Sequence, residues 1–105
     1  MKVLLVCSGG MSSSMLVRSM ENEARKQSLP LQVDSTGSDG LEEKLSDYDV
    51  MLVAPQVRHR FERLENIAGA AGIPAALIDS RDYGLMEGDK VLRQVMSLIE
   101  KSRKE

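Results

Sequence analysis

The stretch LLVCSGGMSSSM, residues 4–15, runs from an apolar segment through the only cysteine of the chain into two glycines and three serines. With Lys2 and Val3 its opening reads KVLLV (2–6), the near-continuous apolar run of a strand covered on both faces in a parallel sheet. From Ser12 to about Gln27 the pattern changes period: Leu16, Met20 and Ala24 recur every fourth residue with Val17 beside them, which predicts a helix with one buried stripe. Strand, glycine turn and helix in that order are the first half of a strand-helix-strand crossover.

The rest of the chain repeats the alternation. Pro30 closes the first helical segment, and LQVDS (31–35) alternates apolar and polar residues as an edge strand does, with Gly37 and Gly40 marking turns. A short helix is expected from Asp39–Leu41 to about Leu45. YDVMLVA (48–54) predicts another strand, ended by Pro55. Residues 57–71 carry Val57, Phe61, Leu64 and Ala68 on one helical face until Gly72 and Pro74 stop them. AALID (75–79) predicts the fourth strand, and Glu87 to Ser102 a final helix with Val91, Val95 and Leu98 alongside Leu92, Met96 and Ile99. Met15 and Met20 are expected to fill core. Single helices between strands demand right-handed crossovers, so the expected fold is α/β, an open four-stranded parallel sheet with helices on both faces.

Composition bounds the function. The 105 residues with 42% hydrophobic content suit one core, so a single domain over 1–105 is expected. A net charge of −2 and 3% aromatic residues argue against nucleic-acid binding, which needs basic patches or stacking platforms. No apolar run approaches the roughly 18 residues of a membrane span, and MKVLLVCSGG is too short and weakly basic for a secretory signal, so a cytoplasmic chain is expected. One cysteine supports neither an internal disulfide nor a structural zinc site, and no metal or cofactor is expected.

In open α/β sheets ligands gather beyond the carboxyl ends of the strands, where the strand order reverses. With the order 2-1-3-4 that point lies between the first and third strands, where residues 7–13, 36–40, 55–56 and 79–84 converge. Gly9 and Gly10 permit backbone angles that turn successive amides inward as an anion-binding nest. Ser12, Ser13 and Ser14 are suited to capping the following helix, whose first amides and macrodipole favour negative charge in the same place. No carboxylate occurs between Lys2 and Arg18. A thiolate, or a phosphoryl group carried on Cys7, finds a favourable setting there. On spacing alone an inert buried thiol and a reactive one stand equal, because a Gly/Ser turn after a first strand is common. The loop lacks the lysine of a Walker loop and the full GxGxxG pattern, which weakens a nucleotide reading.

Three motifs in order go further. CSGGMSSSMLV (7–17), VMLVAPQV (50–57) and ALIDSRDYG (76–84) together resemble the lactose/cellobiose-type enzyme IIB components of the bacterial sugar phosphotransferase system, over essentially the whole chain. Cys7, Gly10, Met11, Ser12 and Ser14 match that family's cysteine loop, a phosphatase-like loop after strand 1. Pro55 and Gln56 match its third-strand turn, and Asp79, Ser80, Tyr83 and Gly84 its last turn. Gly9 and Ser13 stand where relatives often have Ala and Thr, and Ala54 where glycine is frequent; none of these removes a needed group. The resemblance implies a phosphotransferase component. Cys7 accepts a phosphoryl group from a phosphohistidine of enzyme IIA and passes it to a sugar, such as cellobiose, chitobiose or lactose, taken up through the membrane component IIC. It further implies that Ser8, Gly9, Gly10, Met11, Ser12 and Ser13 form the phosphate-binding loop, and that Ser14, Pro55, Gln56, Asp79, Ser80 and Tyr83 support the site or meet a partner. The chain is then cytoplasmic, meeting the inner face of the membrane through IIC. Met11, apolar within an exposed loop, suits an adaptable partner contact.

Two other classes compete. A low-molecular-weight cysteine phosphatase places its nucleophile similarly but requires an arginine six residues later to clamp the phosphate, and that position is Ser13. A regulatory domain with the same fold has no need of an intact loop. His59, between Arg58 and Arg60, reads as a surface residue, and Arg58, Arg60 and Arg63, diluted by Glu62 and Glu65, as a solvated helix face.

Overall fold

The five residues of β1 (Lys2–Val6) lie at the heart of the sheet, with Val3 to Val6 all essentially inaccessible to solvent. The structure is a computed structural model that describes residues 1–8 and 14–104, with side chains to residue 101. It contains α1 (Ser14–Lys26), β2 (Gln32–Thr36), β3 (Val50–Val53), α2 (Phe61–Ala70), β4 (Ala75–Leu77), α3 (Ser80–Gly84) and α4 (Gly88–Lys104). All strand pairs are parallel, and the order is β2-β1-β3-β4. This is the expected open α/β sheet with helices on both faces.

Alternation along β1 sorts its side chains between two cores. Val3, Leu5 and Cys7 join Val50, Leu52, Ala54 and Ile78 on the face covered by Leu16 and Met20 of α1 and Val91 and Val95 of α4. Leu4 and Val6 join Met51 and Val53 on the other, under Leu64 and Ala68 of α2 and Leu41 and Leu45 from the β2–β3 connection. Truncating a fully enclosed leucine such as Leu5 to alanine in a core like this costs about 2–5 kcal/mol. In β2 only Val33 is buried, as befits an edge strand.

Several boundaries moved, for tertiary reasons. β2 begins one residue late, because its register sets Lys2 opposite Gln32. The short helix expected up to Leu45 is instead a turn followed by a 3-10 turn over Leu45–Asp47, which buries Leu45. Residues 57–71 do not form one helix: a 3-10 segment, Pro55–Arg60, is kinked at Val57 (φ −116°, ψ 24°), and α2 starts at Phe61. The kink lets Val57 reach the core that Leu64 and Ala68 share. Gly72 ends α2 at φ +78°, a conformation β-carbons resist, and the amide of Ile73 then returns to the Ala68 carbonyl at 3.0 Å. The fourth strand stops at Leu77. Met15, expected in the core, is 65% exposed: α1 is docked along Leu16, Met20 and Ala24, which turns position 15 outward.

Towards the amino end of the sheet, Tyr48 donates its hydroxyl to Asp34 Oδ2 at 2.7 Å, and Lys2 Nζ lies 5.1 Å from the Tyr48 ring. The bond to Asp34, then partial burial, then the charges of Asp34 and Asp47 push the Tyr48 pKa up to about 12. Because the folded value exceeds the unfolded one, this contribution to stability is full below about pH 10 and disappears as pH rises through 12. Native protein is therefore expected to resist urea better than Tyr48→Phe at neutral pH, with the gap closing between pH 10 and 12. A gap independent of pH would contradict the assignment.

Candidate active site

The strand ends line up. Val6 is opposite both Thr36 and Val53, and Val53 is opposite Leu77. One step further, Cys7 N donates to Thr36 O (2.9 Å), Ala54 N to Val6 O (2.8 Å) and Ile78 N to Val53 O (2.9 Å). Cys7, Ala54 and Ile78 thus form a row just beyond the ladder at the carboxyl edge. The chain moves to opposite sides of β1 to form β2 and β3, so Cys7 stands at the switch point of the sheet.

Strand alternation turns the Cys7 side chain to the α1/α4 face, where it is only 1% exposed. Its Sγ donates to the Thr36 carbonyl at 3.6 Å, a weak thiol hydrogen bond. Thr36 therefore accepts from both the amide and the thiol of Cys7. Ser8 is an exposed bend, and Ser14 is the exposed first residue of α1. Gly9, Gly10, Met11, Ser12 and Ser13 lie outside the described residues. The first turn of α1 carries no acidic residue, whereas Arg25 and Lys26 occupy its last turn. Both features suit a helix whose positive end faces an anion.

Pro55 is buried and opens the 3-10 segment after β3, while Gln56 is exposed. Arg58 reaches back from the same segment and donates from Nη1 to the Pro55 carbonyl at 2.9 Å, fastening the turn. Beyond β4, residues 79–84 are not the open turn expected but the start and body of α3. Asp79 is its N-cap, accepting from the amides of Arg81 (2.8 Å) and Asp82 (3.3 Å) through Oδ1. Such a cap contributes about 1 kcal/mol. A groove of about 780 Å³ brings Pro55, Ile78, Asp79 and Ser80 together, with Arg58 and Arg93 in its wall. Cys7 and Tyr83 do not line it; both are in the buried α1/α4-face cluster.

The sequence placed residues 36–40 at this edge, and strand register shows what Thr36 does there. Lys44 donates from Nζ to Thr36 Oγ1 at 3.1 Å, and Arg60 from Nη1 to Ser38 Oγ at 2.6 Å, so two cations are tethered by hydroxyls to the β2 exit rather than dispersed on helix faces. His59 is exposed and lines a different groove, on α2, with Glu42, Arg63 and Ile67. Among the described residues no three His, Cys, Asp or Glu side chains converge as a metal site, and no helix is long and apolar enough to cross a membrane.

Residues 2–94 match the family described as "PTS system, Lactose/Cellobiose specific IIB subunit". The chain is 33% identical over 98 residues to the oligo-beta-mannoside-specific EIIB component of the phosphotransferase system of Bacillus subtilis, covering 93% of this chain and 95% of that one. The solution structure of a cellobiose-specific phosphotransferase IIB component from Borrelia burgdorferi superposes with a TM-score of 0.82 at 38% identity, covering 97% of this chain and 94% of that one. A lactose-specific EIICB component of Staphylococcus epidermidis is 27% identical over 81 residues, which are 77% of this chain and 14% of that longer protein.

Proposed function

This chain belongs to the lactose/cellobiose-specific IIB family of the sugar phosphotransferase system and is a phosphotransferase component; from that premise we propose that Cys7 is its phosphoryl carrier. The observation that carries the reading is the single cysteine at the switch point of the sheet, on the segment that leads into the positive end of α1. The phosphohistidine of a IIA partner presents the group. The S–P bond to Cys7 forms as the P–N bond breaks, and the thiol proton leaves to the departing imidazole or to solvent. A sulfur bearing a phosphoryl group has no proton to give Thr36 O, so the bond at 3.6 Å ends with this step.

Backbone amides of Ser8 to Ser13 then hold the phosphoryl oxygens, aided by the α1 dipole, so that positioning and fixed dipoles rather than acid-base chemistry supply the rate. Pro55, Asp79 and Ser80, which line one groove, and the exposed Gln56 are the residues that partners meet. In the second step the S–P bond breaks as a hydroxyl of a IIC-bound sugar takes the group, the sulfur leaves as thiolate, and the hydroxyl proton passes to that thiolate or to solvent. A β-linked disaccharide is the substrate class that the cellobiose- and oligo-beta-mannoside-specific relatives suggest. The fused lactose-specific EIICB relative supports IIC as the receiving partner on the cytoplasmic side of the membrane.

The carrier must not waste its phosphate on water. With Ser13 where a phosphatase has its clamping arginine, turnover of p-nitrophenyl phosphate is expected to be negligible. Protein labelled by a phosphorylated lactose/cellobiose-type IIA should deliver the label to cellobiose in membranes containing the matching IIC. Catalytic hydrolysis of the ester, without label taken from IIA, would establish the phosphatase instead.

A further inference from the structure

We propose that the phenol of Tyr83 binds the phosphorylated state, its O–H donating a hydrogen bond to a phosphoryl oxygen on Cys7. The proposal deepens the carrier reading and rests on it.

Tyr83 is 6% exposed, and its Oη is fully buried with no hydrogen-bond partner among the described residues. Buried hydroxyls are normally paired, because water is lost and nothing replaces it. Tyr48, the other tyrosine of the chain, is paired, with Asp34 at 2.7 Å. Everything else about Tyr83 is well satisfied. Its amide donates to Asp79 O at 3.0 Å, and its carbonyl accepts from Met86 N at 3.1 Å. Upstream, the Asp79 cap anchors α3 directly beyond Ile78. Downstream, Ser19 of α1 donates to Met86 O at 3.1 Å and accepts from Gly88 N at 3.2 Å. The residue is held from both sides, and among the described residues nothing pairs with its hydroxyl.

The same buried cluster contains Cys7, Ala54 and Ile78, the row at the carboxyl edge. A resting thiol is a poor acceptor, and this one is turned to Thr36 O. A phosphoryl group on that sulfur brings three strong acceptor oxygens and negative charge, to which a neutral phenol donates well. The unpaired hydroxyl thus raises the resting state and is satisfied in the phosphorylated one, a difference that pulls the transfer towards this chain. No bond to Tyr83 is made or broken: the phosphoryl group moves from nitrogen to sulfur as above, and the phenol keeps its proton. Phenylalanine fills the same space without the donor.

The test compares native protein with Tyr83→Phe, using phosphorylated lactose/cellobiose-type IIA as donor. The urea midpoint of Tyr83→Phe should equal or exceed the native one, because an unpaired buried hydroxyl has been removed. Its equilibrium constant for taking the phosphoryl group from IIA should fall by about tenfold or more, as for the loss of one hydrogen bond to a charged group. In a Tyr48→Phe background, where Tyr83 is the only tyrosine, phosphorylation should shift the ultraviolet tyrosine band to longer wavelength. An unchanged equilibrium constant with no spectral shift overturns the proposal while leaving Cys7 as carrier. So does a lowered urea midpoint with unchanged equilibrium constant, which marks a purely structural hydroxyl. A native chain that takes no phosphate on Cys7 overturns the carrier reading and this proposal with it.

Discussion

Cys7→Ser is expected to take no measurable phosphoryl label from phosphorylated IIA, a loss of at least about 10³-fold, and to transfer none to sugar. The size follows from chemistry. A thiol near neutral pH always holds some thiolate, which is intrinsically a strong nucleophile, whereas a serine hydroxyl needs a base to activate it. His59, the one histidine, lies on the exposed α2 side in a groove with Glu42 and Arg63 and cannot serve Cys7 from there. The fold should be unaffected, since serine is slightly smaller than the cysteine it replaces. Radiolabel transfer followed by peptide mapping reads the result. Label retained by Cys7→Ser, or found on His59, would remove Cys7 from its role.

Gly88→Ala is expected to cost about 3 kcal/mol of stability, the most of any Gly→Ala change among the described residues. A β-carbon at Gly88 would collide with Ser19 Oγ and would lie 2.6 Å from Ser19 C and 2.7 Å from Met20 N. Two of those three atoms are α1 backbone, so no rotamer change relieves the clash. The helices must separate, which costs about 1–3 kcal/mol for overpacking. Separation also strains the bond between Gly88 N and Ser19 Oγ that starts α4, for roughly 1 kcal/mol more. Since α1 leads directly from the cysteine loop, a displaced α1 should slow phosphoryl transfer as well. Thermal unfolding should move down by roughly 10–20 °C for a domain of this size. A variant as stable as native would show that α1 and α4 do not approach this closely.

The two variants probe different kinds of information. The place of Cys7 at the end of β1 was legible because it rests on local order: an apolar strand, the lone thiol, a Gly/Ser-rich stretch, then a helical repeat. The close approach at Gly88 was not. Nothing around residue 88 announces that a serine 69 positions away caps α4 and tolerates no side chain.

The helix α3 lies between these cases. Its five residues are too few for a 3.6-residue repeat to show, so residues 79–84 read as a turn. Asp79 was nonetheless a capping residue in plain view, with Asp82 three positions on, and that chemistry is the signal that would have found the helix. Met15 failed for the opposite reason. A hydrophobic residue beside the Leu16–Met20–Ala24 stripe has the composition of core, but the docking angle of α1 decides which side of the stripe is covered.

By itself, the sequence determined the alternation of strands and helices, the apolar stripe of each long helix and the place of the thiol after β1, because side-chain periodicity and turn chemistry act between neighbours along the chain. Only the tertiary structure decided that the Thr36 carbonyl holds the thiol, that Lys44 and Arg60 are tied to the β2 exit, and that Tyr83 is buried with no partner for its hydroxyl among the described residues. Each of these depends on strand register or helix docking between residues distant in sequence, which the free energy of the whole core sets and no local pattern encodes.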